Sequence, residues 1–77
     1  MKHILFTLKG CPFESLDNKG FIRMLLYNAT KKCKSTLLNL AVHKFEPQGV
    51  TGIAMLAESH ISIHTWPEKG IAVCDVF

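Results

Sequence analysis

Cysteine is scarce: Cys11, Cys33 and Cys74 are the three in 77 residues. The number is odd, the spacings are wide and no Cys-x-x-Cys occurs, which argues against both a disulfide framework and a structural zinc site. Reduced thiols in a cytoplasmic protein are the simplest account. Long hydrophobic runs are also missing. None approaches the roughly 18–20 residues of a membrane span. The stretch Ile4–Leu8 behind the basic start Met1-Lys2-His3 is too short for a secretory signal, and no small-residue cleavage site follows it. No repeat, low-complexity tract or linker is present, so residues 1–77 read as one domain. Nine basic side chains against six acidic ones leave a net charge of only +3. Lys31, Lys32, Lys34 and Lys44 make a modest basic patch, read most simply as a solvated helix end favoured by the macrodipole. No nucleic-acid motif accompanies it, so neither nucleic acid nor a membrane is an expected partner, while an anionic small molecule stays open.

What is present is globular: 48% of residues are apolar and 19% charged, too apolar for a disordered tail. A chain this short buries only about 60% of its unfolded surface, so it needs a staple, a partner or more chain. Lys2 to Leu8 reads as a strand, ended by Gly10-Cys11-Pro12. Phe21, Leu25, Ala29 and Cys33, flanked by Ile22 and Leu26, form an apolar stripe at helical spacing. This predicts a helix over about 17–34, with Ser15 or Asp17 as its cap. From Ser35 the period becomes two: Leu38, Leu40 and Val42 alternate with Leu37, Asn39 and Ala41, giving a strand to about Phe45. Pro47-Gln48-Gly49 is a turn, and Val50 to Ala57 a strand. His60 to Thr65 is another, Trp66 to Gly70 a turn, and Ile71 to Phe77 a last strand. The order β-α-β-β-β-β predicts an α+β, two-layer sandwich: a mostly antiparallel sheet covered on one face by helix.

The stretch from Leu56 to Glu68 carries the chemistry. A strand puts His60, Ser62 and His64 on one face and Ile61, Ile63 and Thr65 on the other. A polar face of this kind is either solvated or lines a site. His60 and His64 lie about 13 Å apart along a strand, too far to share one metal ion, so no metal is expected.

Three segments, Gly49-Val-Thr-Gly52, Glu58-Ser-His-Ile-Ser-Ile-His-Thr-Trp-Pro-Glu68 and Asp75-Val-Phe77, together with His43-Lys44-Phe45 and the opening Lys2-His3, closely resemble the prokaryotic class of S-adenosylmethionine decarboxylases. The resemblance runs in register over nearly the whole chain. It implies an enzyme that uses no pyridoxal phosphate and makes a covalent pyruvoyl group from Ser59. The Ser59 hydroxyl would attack the Glu58 carbonyl, an ester would form, and β-elimination followed by loss of ammonia would leave a β chain, 1–58, and an α chain, 59–77. His64 would move the proton during processing and Thr51 would assist it. The pyruvoyl carbonyl would then form a Schiff base with S-adenosylmethionine and draw electrons as carbon dioxide leaves, yielding the aminopropyl donor for spermidine synthesis.

The same resemblance assigns Glu68 to the ribose hydroxyls and Phe45 to stacking near the adenine. It also implies a homodimer with its sites at the interface. The family continues after Asp-Val-Phe with Thr-Cys-Gly, whose cysteine donates the proton to the substrate α-carbon. Cys74 is not that residue and reads as a packed thiol, as do Cys11 and Cys33 or else as incidental. The natural polypeptide is therefore expected to be longer by about a helix and a strand. Two other readings stand beside the first: a pyruvoyl decarboxylase of ornithine or arginine, and a non-catalytic subunit that partners a full-length enzyme.

Overall fold

A computed structural model of the chain describes residues 3–77. The Lys2 start expected for the first strand lies outside them. Five strands, β1 (Ile4–Leu8), β2 (Leu37–Lys44), β3 (Val50–Leu56), β4 (His60–Trp66) and β5 (Ile71–Val76), form one sheet in the order β1-β5-β4-β3-β2. Every pairing is antiparallel. Two helices, α1 (Phe13–Leu16) and α2 (Lys19–Lys32), complete the described fold. The α+β sandwich expected from the sequence is therefore what forms, with α2 packed on one face. Among the described residues no helix is long and apolar enough to cross a membrane.

The helical region differs from the expectation in two ways. The helix expected over about 17–34 forms as the 14 residues of α2, and a one-turn helix that was not expected, α1, precedes it. Neither Ser15 nor Asp17 caps α2; the Asn18 side chain does, accepting the Phe21 N–H at 3.0 Å. The buried row is Ile22, Leu26 and Thr30; of the expected stripe, Ala29 packs partly buried against the core, whereas Phe21, Leu25 and Cys33 are exposed. The sheet selects this row because Gly52 lies beneath it. A Cβ at Gly52 would come within 2.7 Å of Leu26 Cδ1 and 3.3 Å of Ile22 Cγ2, so the helix seats against bare backbone there. Thr30 is tolerated in the row because its hydroxyl donates to the Leu26 carbonyl at 3.0 Å.

The core consists of this row with Leu16, Val50, Ala54, Leu56, Ile61, Ile63, Ala72 and Cys74. Burying a side chain such as Ile22 or Val50 fully contributes about 2 kcal/mol. Cys74 is a packed thiol, as expected, and burial pushes its pKa up. Thr65, also buried, ties three elements: its hydroxyl donates to the Leu16 carbonyl at 2.8 Å and accepts the Val50 N–H at 2.8 Å. In β2 a bulge between Leu37 and Asn39 turns Leu38 outward and leaves Leu37 against the core, reversing the predicted face at that end.

α2 lies over β2, β3 and β4, so the helix-side residues of β1, Ile4, Phe6 and Leu8, stay exposed. The basic patch is also split. Lys31 and Lys32 sit in the last turn of α2, whereas Lys44 pairs with Asp17 at the other end of the helix.

Candidate active site

The face opposite α2 carries the polar side chains. The β3–β4 register sets Thr51 against His64, Ile53 against Ser62 and Met55 against His60. The burial of β4 alternates as expected: Ile61, Ile63 and Thr65 point into the core, while His60, Ser62 and His64 face away from it. Two constellations result, at opposite ends of the strand.

At the β4 C-terminal end, the Thr51 hydroxyl lies 3.1 Å from His64 Nδ1. A hydroxyl proton donated to Nδ1 leaves the ring N–H on Nε2, directed away from the sheet neighbour. The pair opens on a cleft of about 450 Å³ that is also lined by Phe45, Gln48, Trp66 and Glu68. The turn Pro67–Lys69 brings Glu68 back over the cleft, and Gly70, at φ 64°, closes it with its N–H on the Pro67 carbonyl. Gln48 Nε2 donates to Glu68 Oε1 at 3.3 Å, leaving the second carboxylate oxygen free of that bond. His43, opposite Thr51 on β2, meets the Phe45 ring edge-on at 4.6 Å. An aromatic face, an imidazole and a carboxylate thus border one open cleft, a set suited to a polar, ring-bearing ligand.

At the other end, Asp75 is the hub. Ser62 Oγ donates to Asp75 Oδ1, while His3 Nε2 and His60 Nε2 lie 2.8 Å and 3.4 Å from Oδ2. Phe77 stacks on His60 at 5.6 Å and meets His3 edge-on at 5.3 Å. The Ser62 hydroxyl, and then the His3 ring, hold the Asp75 carboxyl down from the ordinary 3.8 to about 2. A depressed acid contributes stability that is complete above its unfolded pKa and is lost as pH falls through the folded value. Melting temperatures measured from pH 5 to 2 are therefore expected to drop more steeply below about pH 4 in the parent chain than in Asp75→Asn, which has no carboxylate to protonate. Parallel curves would refute the role of Asp75. Among the described residues no group of three His, Cys, Asp or Glu is placed to hold a metal ion.

Ser59 occupies neither constellation. It is half-buried in the tight turn 57–59 between β3 and β4. Its carbonyl accepts the Leu56 N–H at 2.9 Å, and the Ala57 N–H reaches the Thr36 carbonyl at 3.1 Å. Glu58 is exposed beside it, and both border a separate hollow of about 230 Å³. Five residues of extended chain put Ser59 and His64 about 16 Å apart along β4.

The model of the S-adenosylmethionine decarboxylase family matches residues 2–77. The chain belongs to this family. It is 57% identical over 76 residues to the S-adenosylmethionine decarboxylase proenzyme of Methanococcus vannielii, covering 99% of this chain and 62% of that protein. Identity to the proenzyme of Synechococcus sp. WH7803 is also 57%, over 99% and 59% of the two chains. The crystal structure of the adenosylmethionine decarboxylase from Aquifex aeolicus superposes with a TM-score of 0.88 at 44% identity, covering 95% of this chain and 60% of that one. The chain spans about six-tenths of the length of the curated relatives it matches.

Of the six site residues named from the family resemblance, the fold gathers Phe45, Thr51, His64 and Glu68 in one cleft and sets Glu58 and Ser59 apart. Sequence reasoning did not assign roles to Gln48, His43 or the Asp75 hub. The alternation of β2 and β4 was a signal for which side chains share a face, but strand order and register were needed to join Asp75 to His3 and His60.

Proposed function

We propose that the chain forms the self-processing part of a pyruvoyl-dependent decarboxylase that acts on S-adenosylmethionine. The observation that carries this reading is the Thr51–His64 pair at 3.1 Å, bordering a cleft shared with Phe45 and Glu68. Glu68 is suited to accept hydrogen bonds from the two ribose hydroxyls, and Gln48 steadies the carboxylate from behind. Phe45 offers a ring for adenine, and an aromatic face also favours a sulfonium cation.

Residue 59 suits the making of a terminal keto-acyl group. The Glu58–Ser59 peptide lies in a turn tied on both sides by backbone hydrogen bonds, so a cut there leaves both new ends anchored to the sheet. Ser59 Oγ adds to the Glu58 carbonyl carbon, the C–N bond breaks, and an ester joins the two residues. Loss of the Ser59 α-proton then expels the Glu58 carboxylate, and water releases ammonia from residue 59. His64 is the imidazole suited to moving protons in these steps, with Thr51 holding its ring. Once formed, the keto-acyl group supplies the electrophilic carbonyl that holds the substrate amine and takes up electrons as carbon dioxide departs.

A separation of about 16 Å along one strand forbids a direct proton transfer between Ser59 and His64 of the same chain. A two-fold dimer resolves this if the open sheet faces meet, so that Ser59 of one chain approaches His64 of the partner subunit. Each site would then be built from two chains.

Intact mass and labelled carbon dioxide test the reading together. Two fragments divided at Glu58–Ser59, a borohydride-sensitive carbonyl and release from S-adenosylmethionine alone are expected. Release from ornithine or arginine instead would replace the substrate. A persistently single, inert chain would make the protein a non-catalytic subunit.

A further inference from the structure

Asp17 lies outside the cleft, in the junction between α1 and α2, and no catalytic step uses it. Its carboxylate nevertheless holds the turn that forms one cleft wall. Asp17 Oδ1 accepts the Gly49 N–H at 2.9 Å and pairs with Lys44 Nζ at 3.1 Å. Lys44 Nζ in turn donates to the Phe45 carbonyl at 3.2 Å. The Phe45 N–H closes the same turn on the Gly49 carbonyl at 2.8 Å. One carboxylate therefore grips both ends of residues 45–49, Gly49 directly and Phe45 through Lys44. Asp17 is itself fixed, because its N–H is bonded to the Phe13 carbonyl at 3.0 Å. Phe45, Pro47, Gln48 and Gly49 all line the cleft, and Gln48 reaches Glu68.

We infer that Asp17 is a positioning residue for substrate binding: through Gly49 and Lys44 it sets the 45–49 turn at the distance from Glu68 that a nucleoside-bearing substrate requires. The inference rests on the proposed function. Gly49 supports it, since its φ of 110° lies where only glycine is comfortable and a Cβ would sit 3.4 Å from the Thr65 carbonyl oxygen. The turn thus has one anchor position that only glycine fits, and the acceptor for that anchor's N–H is Asp17. The Asp17 carboxyl is held below its ordinary pKa by that same N–H and then by Lys44, so the acceptor is ionised at neutral pH.

The test measures KM, kcat and the rate of self-cleavage for the full chain with S-adenosylmethionine as the probe. Asp17→Ala is expected to raise KM about tenfold while kcat and self-cleavage stay within about twofold. Asp17→Asn keeps an amide oxygen for the Gly49 N–H and should recover KM to within about threefold of the parent. Should Asp17→Ala not fold, Lys44→Met, which loses only the ammonium, is expected to raise KM about threefold. An unchanged KM in these variants overturns the inference, as does a fall of kcat and self-cleavage in step with KM, or an Asn variant as impaired as Ala. If the parent itself neither cleaves nor turns over the probe, the failure belongs to the proposed function instead.

Discussion

A Ser59→Ala chain is expected to remain one uncleaved polypeptide and to release no measurable carbon dioxide from S-adenosylmethionine. The loss should be total because, on the proposed function, the Ser59 hydroxyl is itself the reagent that processing consumes. Alanine offers no oxygen to attack the Glu58 carbonyl, so no ester forms, nothing is eliminated, and no keto-acyl terminus appears. Folding should be unaffected, since the hydrogen bond made at this residue in the turn uses the Ser59 backbone carbonyl, accepting from the Leu56 N–H at 2.9 Å. Intact mass, a carbonyl label and a melting curve check the three statements. Normal turnover by this variant would remove Ser59 from its role.

The second large effect concerns His64. With alanine there, processing should slow by about 10² to 10⁴, the usual worth of a positioned acid or base. The chain should accumulate as the ester, which hydroxylamine splits. A mixture of the two variants is more revealing. Ser59→Ala chains lack the nucleophile and His64→Ala chains lack the imidazole, so neither variant alone contains a complete pairing. If sites form between chains, a mixed dimer contains one intact pairing: Ser59 of the His64→Ala chain with His64 of its partner. Co-expression in equal amounts should therefore cleave about half of the His64→Ala chains and none of the Ser59→Ala chains. No cleavage above the level of the His64→Ala chain alone would overturn the two-chain site. Prompt maturation of His64→Ala by itself would remove the histidine from processing altogether.

Strand periodicity in the sequence was enough to separate His60, Ser62 and His64 from Ile61, Ile63 and Thr65, because successive strand residues point to opposite faces whatever their partners are. Helical periodicity was a weaker guide. Phe21, Leu25, Ala29 and Cys33 recur as regularly as Ile22, Leu26 and Thr30, and it is the second row that seats on the bare backbone of Gly52 across the interface. The bulge that turned Leu38 outward left no mark in the alternation of hydrophobic residues.

The amino-acid order alone thus determined the number and sequence of the strands, the polar strand face and, by family resemblance, which side chains to watch. These depend on local geometry and on residue identity, both of which are carried along the chain. The three-dimensional fold decided which of those side chains meet. Antiparallel pairing of β3 with β4 joins Thr51 to His64 across 13 positions, and the β4–β5 register brings Asp75 to Ser62. The same pairing holds Ser59 at the far end of the hairpin from His64. Distance through space is set by register and by strand order, which arise from the packing of the whole sheet, and residue spacing along one strand could not supply them.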